Sequence, residues 1–355
     1  MALTYQAGRR IQGTAADRAA VDAVSGGWKE LGRTTLGSAG DIISVASLPD
    51  KRYYMVLQYD LDTGGNIDPH YLFNNDTGSN YAYRLSDNGG SDSTGTNQTQ
   101  LASGAGSTAS PSFMTTFISN LSSKEKLTIS HGISQETAGA GNAPDRRETT
   151  AKWANTSSTI NRIDGYNIKP GSFDTGSEVV VLGYDPDDTH TDNFWEELAS
   201  VTASGSSNNM EASITSKKYI WVQAYMSNSA LSKTQMVVGN GTVDTSANYA
   251  SRYSNNGGSD STQTSLGSMK LNGNQNQAAN VGRFVNVFII NNSSNEKLAI
   301  SNYVFQNTAG AGNAPSRVEG VHKWINTSNQ IDKIQITTPD GNINSDGIMK
   351  VWGSN

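Results

Sequence analysis

The chain has 355 residues, with 26 basic and 32 acidic side chains and a formal net charge of -6. That balance argues against a generalised nucleic-acid binder, which needs a basic footprint, and the absence of cysteine excludes disulfides, thiolate metal sites and cysteine nucleophiles. Only four histidines are present (His70, His131, His190 and His322), no apolar run reaches the roughly 18 residues of a membrane helix, and 16% charged residues with abundant Gly, Ser, Thr and Asn suit an all-β protein rich in turns.

Residues 1–27 open the chain with three arginines, Arg9, Arg10 and Arg18, against Asp17 and Asp22. No apolar signal-peptide core is present there. Thr14 followed by Asp17 resembles a capping box ahead of an Ala-rich stretch that Gly26 and Gly27 would stop. A helix of about ten residues is marginal unless it packs on something, so this segment reads either as a disordered tail or as an arm that orders against a partner. From Trp28 onward strand signals recur every 8–12 residues. DIISVASL (41–48), RYYMVLQY (52–59), FMTTFISN (113–120), KLTISHGI (126–133) and ETTAKWAN (148–155) are rich in β-branched and aromatic residues, and Gly, Asn, Asp and Ser clusters bound them. VVVLG (179–183) closes the unit.

The segment 184–197 then carries Asp185, Asp187, Asp188, Asp192, Glu196 and Glu197 with no Lys or Arg. It reads as a solvated linker kept extended by self-repulsion, with a cation site or a strip for a basic partner as the alternative. After it the chain repeats itself. TAGAGNAPDRRETTAKWANTS (137–157) matches TAGAGNAPSRVEGVHKWINTS (308–328) at 15 of 21 positions, and NYAYRLSDNGGSDST (80–94) matches NYASRYSNNGGSDST (248–262) at 12 of 15. The offset between copies drifts only from 166 to 171 residues, too long for a solenoid repeat. FVNVFII (284–290), KLAISNYVF (297–305) and KIQIT (333–337) fall where the first copy has strands. The expectation is an all-β fold: two tandem homologous antiparallel β-sandwich domains, jelly-roll-like, of eight or nine strands each. The bounds read as arm 1–27, first sandwich 28–184, acidic linker 185–192 and second sandwich 193–355.

Chemistry, if present, should lie in the polar residues retained by both copies: Arg84/Arg252, Glu125/Glu296, Lys126/Lys297, Arg146/Arg317, Glu148/Glu319 and Lys152/Lys323. Arg146, Glu148 and Lys152 share one face of a strand, as do Arg317, Glu319 and Lys323. A glycosidase would use Glu148 or Glu319 as general acid with a second carboxylate about 5–10 Å away, and neither copy carries an evident one. The plainer reading is a cross-strand salt-bridge ladder on the outer face of a sheet. Trp153 and Trp324 read as core, with a sugar-stacking platform as the alternative. SDNGGSDS (86–93) and SNNGGSDS (254–261) read as hairpin turns favouring positive φ before calcium loops, and PDGNINSDG (339–347) lacks the glycine and closing glutamate of an EF-hand. No nucleophile elbow, P-loop or HExxH pattern occurs, and no histidine is shared between copies. No cofactor or metal is therefore expected.

The strings QAGRRIQGT, WKELGRTTLGSAGD, DTGSNYAYR, the TAGAGNAP–R–E–KWANTS block and GSEVVVLGYDP resemble virion-associated β-rich repeat proteins of marine tailed phages. The resemblance covers nearly all of copy one and returns in the central block of copy two. It implies a non-enzymatic structural role: capsid decoration, head fibre or tail-associated fibre. On this reading the protein sits on the virion surface after assembly in host cytoplasm. Arg9, Arg10 and Arg18 dock the arm to the major capsid or another virion protein, the second domain projects outward, and the chain homo-oligomerises. Nucleic acid and membrane are not expected partners. The alternatives are a glycan-binding tail fibre or adhesin for host surface glycans, using loops 87–110 and 255–280, and a double jelly-roll capsid-forming protein.

Overall fold

The structure, a computed structural model, describes residues 27–105, 111–186, 188, 190, 192–308 and 310–355. The arm and its Arg9, Arg10 and Arg18 thus lie outside the described residues, Gly27 excepted. Twelve strands form the first copy: β1 (Lys29–Thr35), β2 (Ile42–Ala46), β3 (Tyr53–Asp60), β4 (Pro69–Phe73), β5 (Tyr81–Asp87), β6 (Ser93–Gln98), β7 (Leu101–Ala102), β8 (Ser112–Ser119), β9 (Lys126–Ser134), β10 (Asp145–Trp153), β11 (Arg162–Asn167) and β12 (Glu178–Tyr184). The second copy repeats the count: β13 (Glu196–Thr202), β14 (Asn209–Ser213), β15 (Tyr219–Met226), β16 (Gln235–Asn240), β17 (Thr242–Val243), β18 (Tyr249–Asn255), β19 (Ser261–Leu266), β20 (Arg283–Ile290), β21 (Lys297–Phe305), β22 (Ser316–Trp324), β23 (Lys333–Thr337) and β24 (Ile348–Ser354). Twelve per copy exceeds the eight or nine expected, because two-residue strands and the polar strands β6 and β19 carry too few apolar residues to register as strand signals.

Each copy is an antiparallel sandwich of a large and a small sheet. The large sheet of copy one runs β1-β12-β3-β8-β9-β10-β5-β6 and the small one β2-β11-β4-β7. The ribbon β1–β2 flanks β12–β11, which flanks β3–β4, which flanks β8–β7. That is the rolled-up ribbon of a jelly roll, with β9–β10 and β5–β6 extending its large sheet. Copy two keeps this order as β13-β24-β15-β20-β21-β22-β18-β19 over β14-β23-β16. At β7 they diverge: a single bridge between Met236 and Met269 stands in its place, and β17 edges the small sheet instead.

Alternation along the strands fills each sandwich. Tyr54 and Val56 of β3 point inward with Val179 and Val181 of β12. Trp153 is 1% exposed and donates to Asp76 Oδ2 at 2.7 Å, and Trp324 repeats this with Asp244 at 2.9 Å. Both tryptophans are core, with no face free for a sugar. The NGG turns are hairpins: Asn88 and Gly89 have φ of 50° and 67°, Asn256 and Gly257 53° and 72°.

The outer faces of the large sheets are in large part turned against each other, not to solvent. Met55, Leu57, Tyr59, Phe113, Ile133, Val180 and Leu182 of copy one join Phe194, Tyr219, Phe288, Ile290, Leu298, Ile300 and Val321 of copy two in one buried cluster. The molecule is therefore four layers: small sheet, two large sheets face to face, small sheet. The second domain lies flat against the first, not projecting from it. Burying both faces requires apolar residues at consecutive positions, and β12 (EVVVLGY) and β3 (YYMVLQYD) have them. The acidic segment is held to copy one, not extended, where it is described: Asp192 pairs with Lys29 at 3.0 Å and Asp188 with Lys51.

Candidate functional site: the face between the two copies

Five of the six charged residues singled out lie on this shared face between the domains, with Lys152 on its exposed margin. Their parity on β10 and β22 sends them to the outer side of each large sheet, as expected. The partner across that side is the other copy, not water. Residues 171 positions apart, the repeat offset here, meet their own duplicates: Phe117 and Phe288 at 6.4 Å between ring centroids, His131 and Asn302 at 3.4 Å. Glu148 also lies near enough to Glu319 to raise its pKa. The copies thus face each other about a local two-fold line through these pairs.

On one side of that line the face is closed. Arg146, its side chain 4% exposed, forms a two-pronged pair with Asp260 (2.6 and 3.1 Å) and also reaches Glu148 at 2.7 Å. Arg252 donates to the Pro144 carbonyl at 2.7 Å and approaches Asp145 at 3.5 Å. Gly89, whose positive φ suits the turn, abuts Asp260 so closely that a Cβ there would lie 2.6 Å from its backbone nitrogen. Lys323 is wholly buried; its ammonium donates to the carbonyls of Gln135 and Thr137 and pairs with Glu296 at 3.4 Å, while Glu296 accepts from the Gly139 amide at 2.6 Å. Burial lowers the Lys323 pKa and the Glu296 carboxylate opposes that. Beneath, Glu178 accepts from Tyr219 Oη (2.7 Å) and Lys218 (3.0 Å). Burial works against its charge, but the Thr35 and Tyr219 hydroxyls and the Lys218 ammonium hold its pKa below the usual range.

On the other side the same residues pair within their own copy, and the face opens. Arg84, the duplicate of Arg252, turns to Asp92 at 3.2 Å, and Arg317, the duplicate of Arg146, binds Glu319. Lys152 pairs with Glu125 at 2.8 Å, both partly exposed. Ser316 occupies the place of Asp145, so Arg84 lacks the carboxylate that Arg252 approaches across the line. The opening is a cleft of about 400 Å³ lined by Arg84, Asp92, Ile129, His131, Glu148, Asn302, Arg317 and Glu319. Burial and Glu148 raise the Glu319 pKa, and Arg317 pulls it back.

The cross-strand ladder is accordingly corrected. Arg146–Glu148 and Arg317–Glu319 run along one strand, and Arg146 and Lys323 bridge domains. Glu148 and Glu319, for which the sequence shows no second carboxylate, both line the cleft. Asp260 was missed, read as part of a turn; the signal available was its presence in both copies. Among the described residues no cluster of His, Asp and Glu has the form of a metal site.

No protein-family profile and no curated protein matches the chain. Among solved structures, it is similar to the LG4-5 domains of mouse laminin alpha1 chain at 9% identity and a TM-score of 0.19, covering 92% of this chain and 88% of that one. Neisserial surface protein A matches at 8% identity and a TM-score of 0.12, covering 80% and 96%. At such scores these likenesses carry no argument.

Proposed function

We propose that the protein is a non-enzymatic structural component of a tailed-phage virion, a capsid decoration or head-fibre protein anchored by residues 1–27. The phage setting rests on the strings quoted above. What supports a structural role is how the retained charged residues are used: Arg146, Asp260, Lys323 and Glu296 all hold one copy against the other. A plate of two fused jelly rolls, its large sheets both inside, presents mainly polar loops and the small sheets to its surroundings. Partners on this reading are the major capsid protein or another virion protein, and Arg9, Arg10 and Arg18 provide the docking contacts.

Quantitative mass spectrometry of purified virions tests this directly. Tens to hundreds of copies, lost when residues 1–27 are deleted while the sandwiches still fold, is the expected result. Stoichiometric incorporation of the arm-deleted chain would overturn it. The second reading, a glycan-binding fibre or adhesin, is favoured by the cleft, where Arg84, Asp92, Glu148, Asn302 and Arg317 offer donors and acceptors beside Ile129. Binding to host polysaccharide that Arg317→Ala abolishes would establish it. Two jelly rolls in one chain also suit a capsid-forming protein, for which a strictly monomeric purified chain would be the contrary result.

A further inference from the structure

The closed side shows how one copy grips the other, and both halves of that grip are present a second time without their partners. Glu296 and Lys323 hold the loop after β9 by its backbone, at the Gln135 and Thr137 carbonyls and the Gly139 amide. Apolar residues surround the grip: Phe288, Leu298 and Ile300 are at most 5% exposed, against Tyr59, Phe113 and Ile133 at no more than 1%. In copy one the duplicates of the receiving residues lie open. Phe117, Leu127 and Ile129 are 39%, 57% and 56% exposed, beside the partly exposed Glu125–Lys152 pair. In copy two the duplicates of the inserting residues lie open as well: Tyr225, Phe284 and Val304 are 43%, 42% and 38% exposed. The loop after β21 carries Gln306, Thr308 and Gly310 at the spacing of Gln135, Thr137 and Gly139.

We infer that the Glu125–Lys152 face of copy one is a docking site for a second copy of this chain, which inserts the end of β21 with Gln306 and Thr308. The occupant is specified by the contact already made within the chain. The receiving pair is the same two residue types, the inserted loop presents the same backbone groups, and the flanking apolar residues correspond one to one. Within one chain the closed side holds the free loop and the vacant face apart, and a second copy is under no such constraint. Each chain offers one vacant face and one free loop. Two copies can therefore satisfy each other reciprocally, and a non-reciprocal contact would propagate into rings or filaments.

The absence of cysteine makes the test clean. Full-length Thr150→Cys chain, which keeps Lys152 and carries its thiol at an exposed position on the same face, is mixed with full-length Thr308→Cys chain and treated with a short bismaleimide, and sedimentation of the unmodified chain is followed to about 100 μM, where a micromolar contact is populated. The expected results are a covalent product joining the two variants and concentration-dependent association. Lys152→Glu should weaken that association more than about tenfold, as loss of a hydrogen-bonded charge at a contact does. A chain monomeric throughout, with no mixed product, overturns the inference. So does a double variant that cross-links only within itself, which would mean that the chain's own loop closes on the face. Neither result bears on virion incorporation, so this inference and the proposed function fail separately.

Discussion

Two buried titratable residues, one in each copy, contribute to the stability of the molecule with opposite pH dependence. Asp60 is fully buried in copy one and accepts from Gln58 Nε2 at 2.8 Å and Ser112 Oγ at 3.2 Å. Burial nonetheless pushes its pKa up to about 7. The unfolded chain releases this proton near pH 4 and the folded chain only near 7, so stability falls as pH rises through that window, by up to roughly 4 kcal/mol. Asp60→Asn should remove the decline and raise the melting temperature at pH 7 and above; a wild-type slope surviving in the variant would refute this. His322, at the place of Ala151, is fully buried between Ser301 and Ser251, each 2.9 Å away, and burial lowers its pKa to about 3. Its stabilising contribution is present above pH 6.5 and lost as pH falls toward 3. His322→Gln should flatten acid unfolding of the molecule over that range, measured by circular dichroism. Neither effect was legible in the sequence, which shows both residues but not their burial.

At the scale of elements, the strands at 42–46, 53–60, 112–119, 126–134 and 297–305 coincide with the apolar and β-branched runs, since such runs fit a pleated surface with a buried side. The Asn-Gly turns form where positive φ was expected. The polar edge strands β6 and β19 were not legible, because pairing with β5 and β18 alone makes them strands. One element difference at the shared face is Asp145 in β10 against Ser316 in β22, which removes the carboxylate opposite Arg84. Ser316→Asp should give Arg84 a partner across the line and draw the open side together. Slower hydrogen exchange at Leu127 and Ile129 and a smaller radius in X-ray scattering are the expected readouts. Unchanged exchange would show that something other than this carboxylate holds the cleft open.

For the whole molecule, the cluster from Met55 to Val321 makes the two sandwiches one thermodynamic unit. Calorimetry should show a single cooperative transition. Asp260→Asn removes the charged partner that Arg146 has in the other copy and leaves it only Glu148 of its own, a loss of at most about 3–5 kcal/mol by analogy with other buried pairs, and should split that transition in two. A wild type that already melts in two steps would contradict the four-layer arrangement.

By itself the sequence determined that the protein is all-β, duplicated, free of thiol chemistry and built of sandwiches, because alternation, turn residues and self-similarity are local properties of the chain. It also singled out Arg146, Lys323 and Glu296 at the shared face, though not Asp260. Only the tertiary structure decided that they face each other, that identical residues exchange partners across a local two-fold line, and that one side is closed while the other is a cleft. Those facts depend on which surfaces meet, and a residue's partner across an interface leaves no periodicity in its own strand.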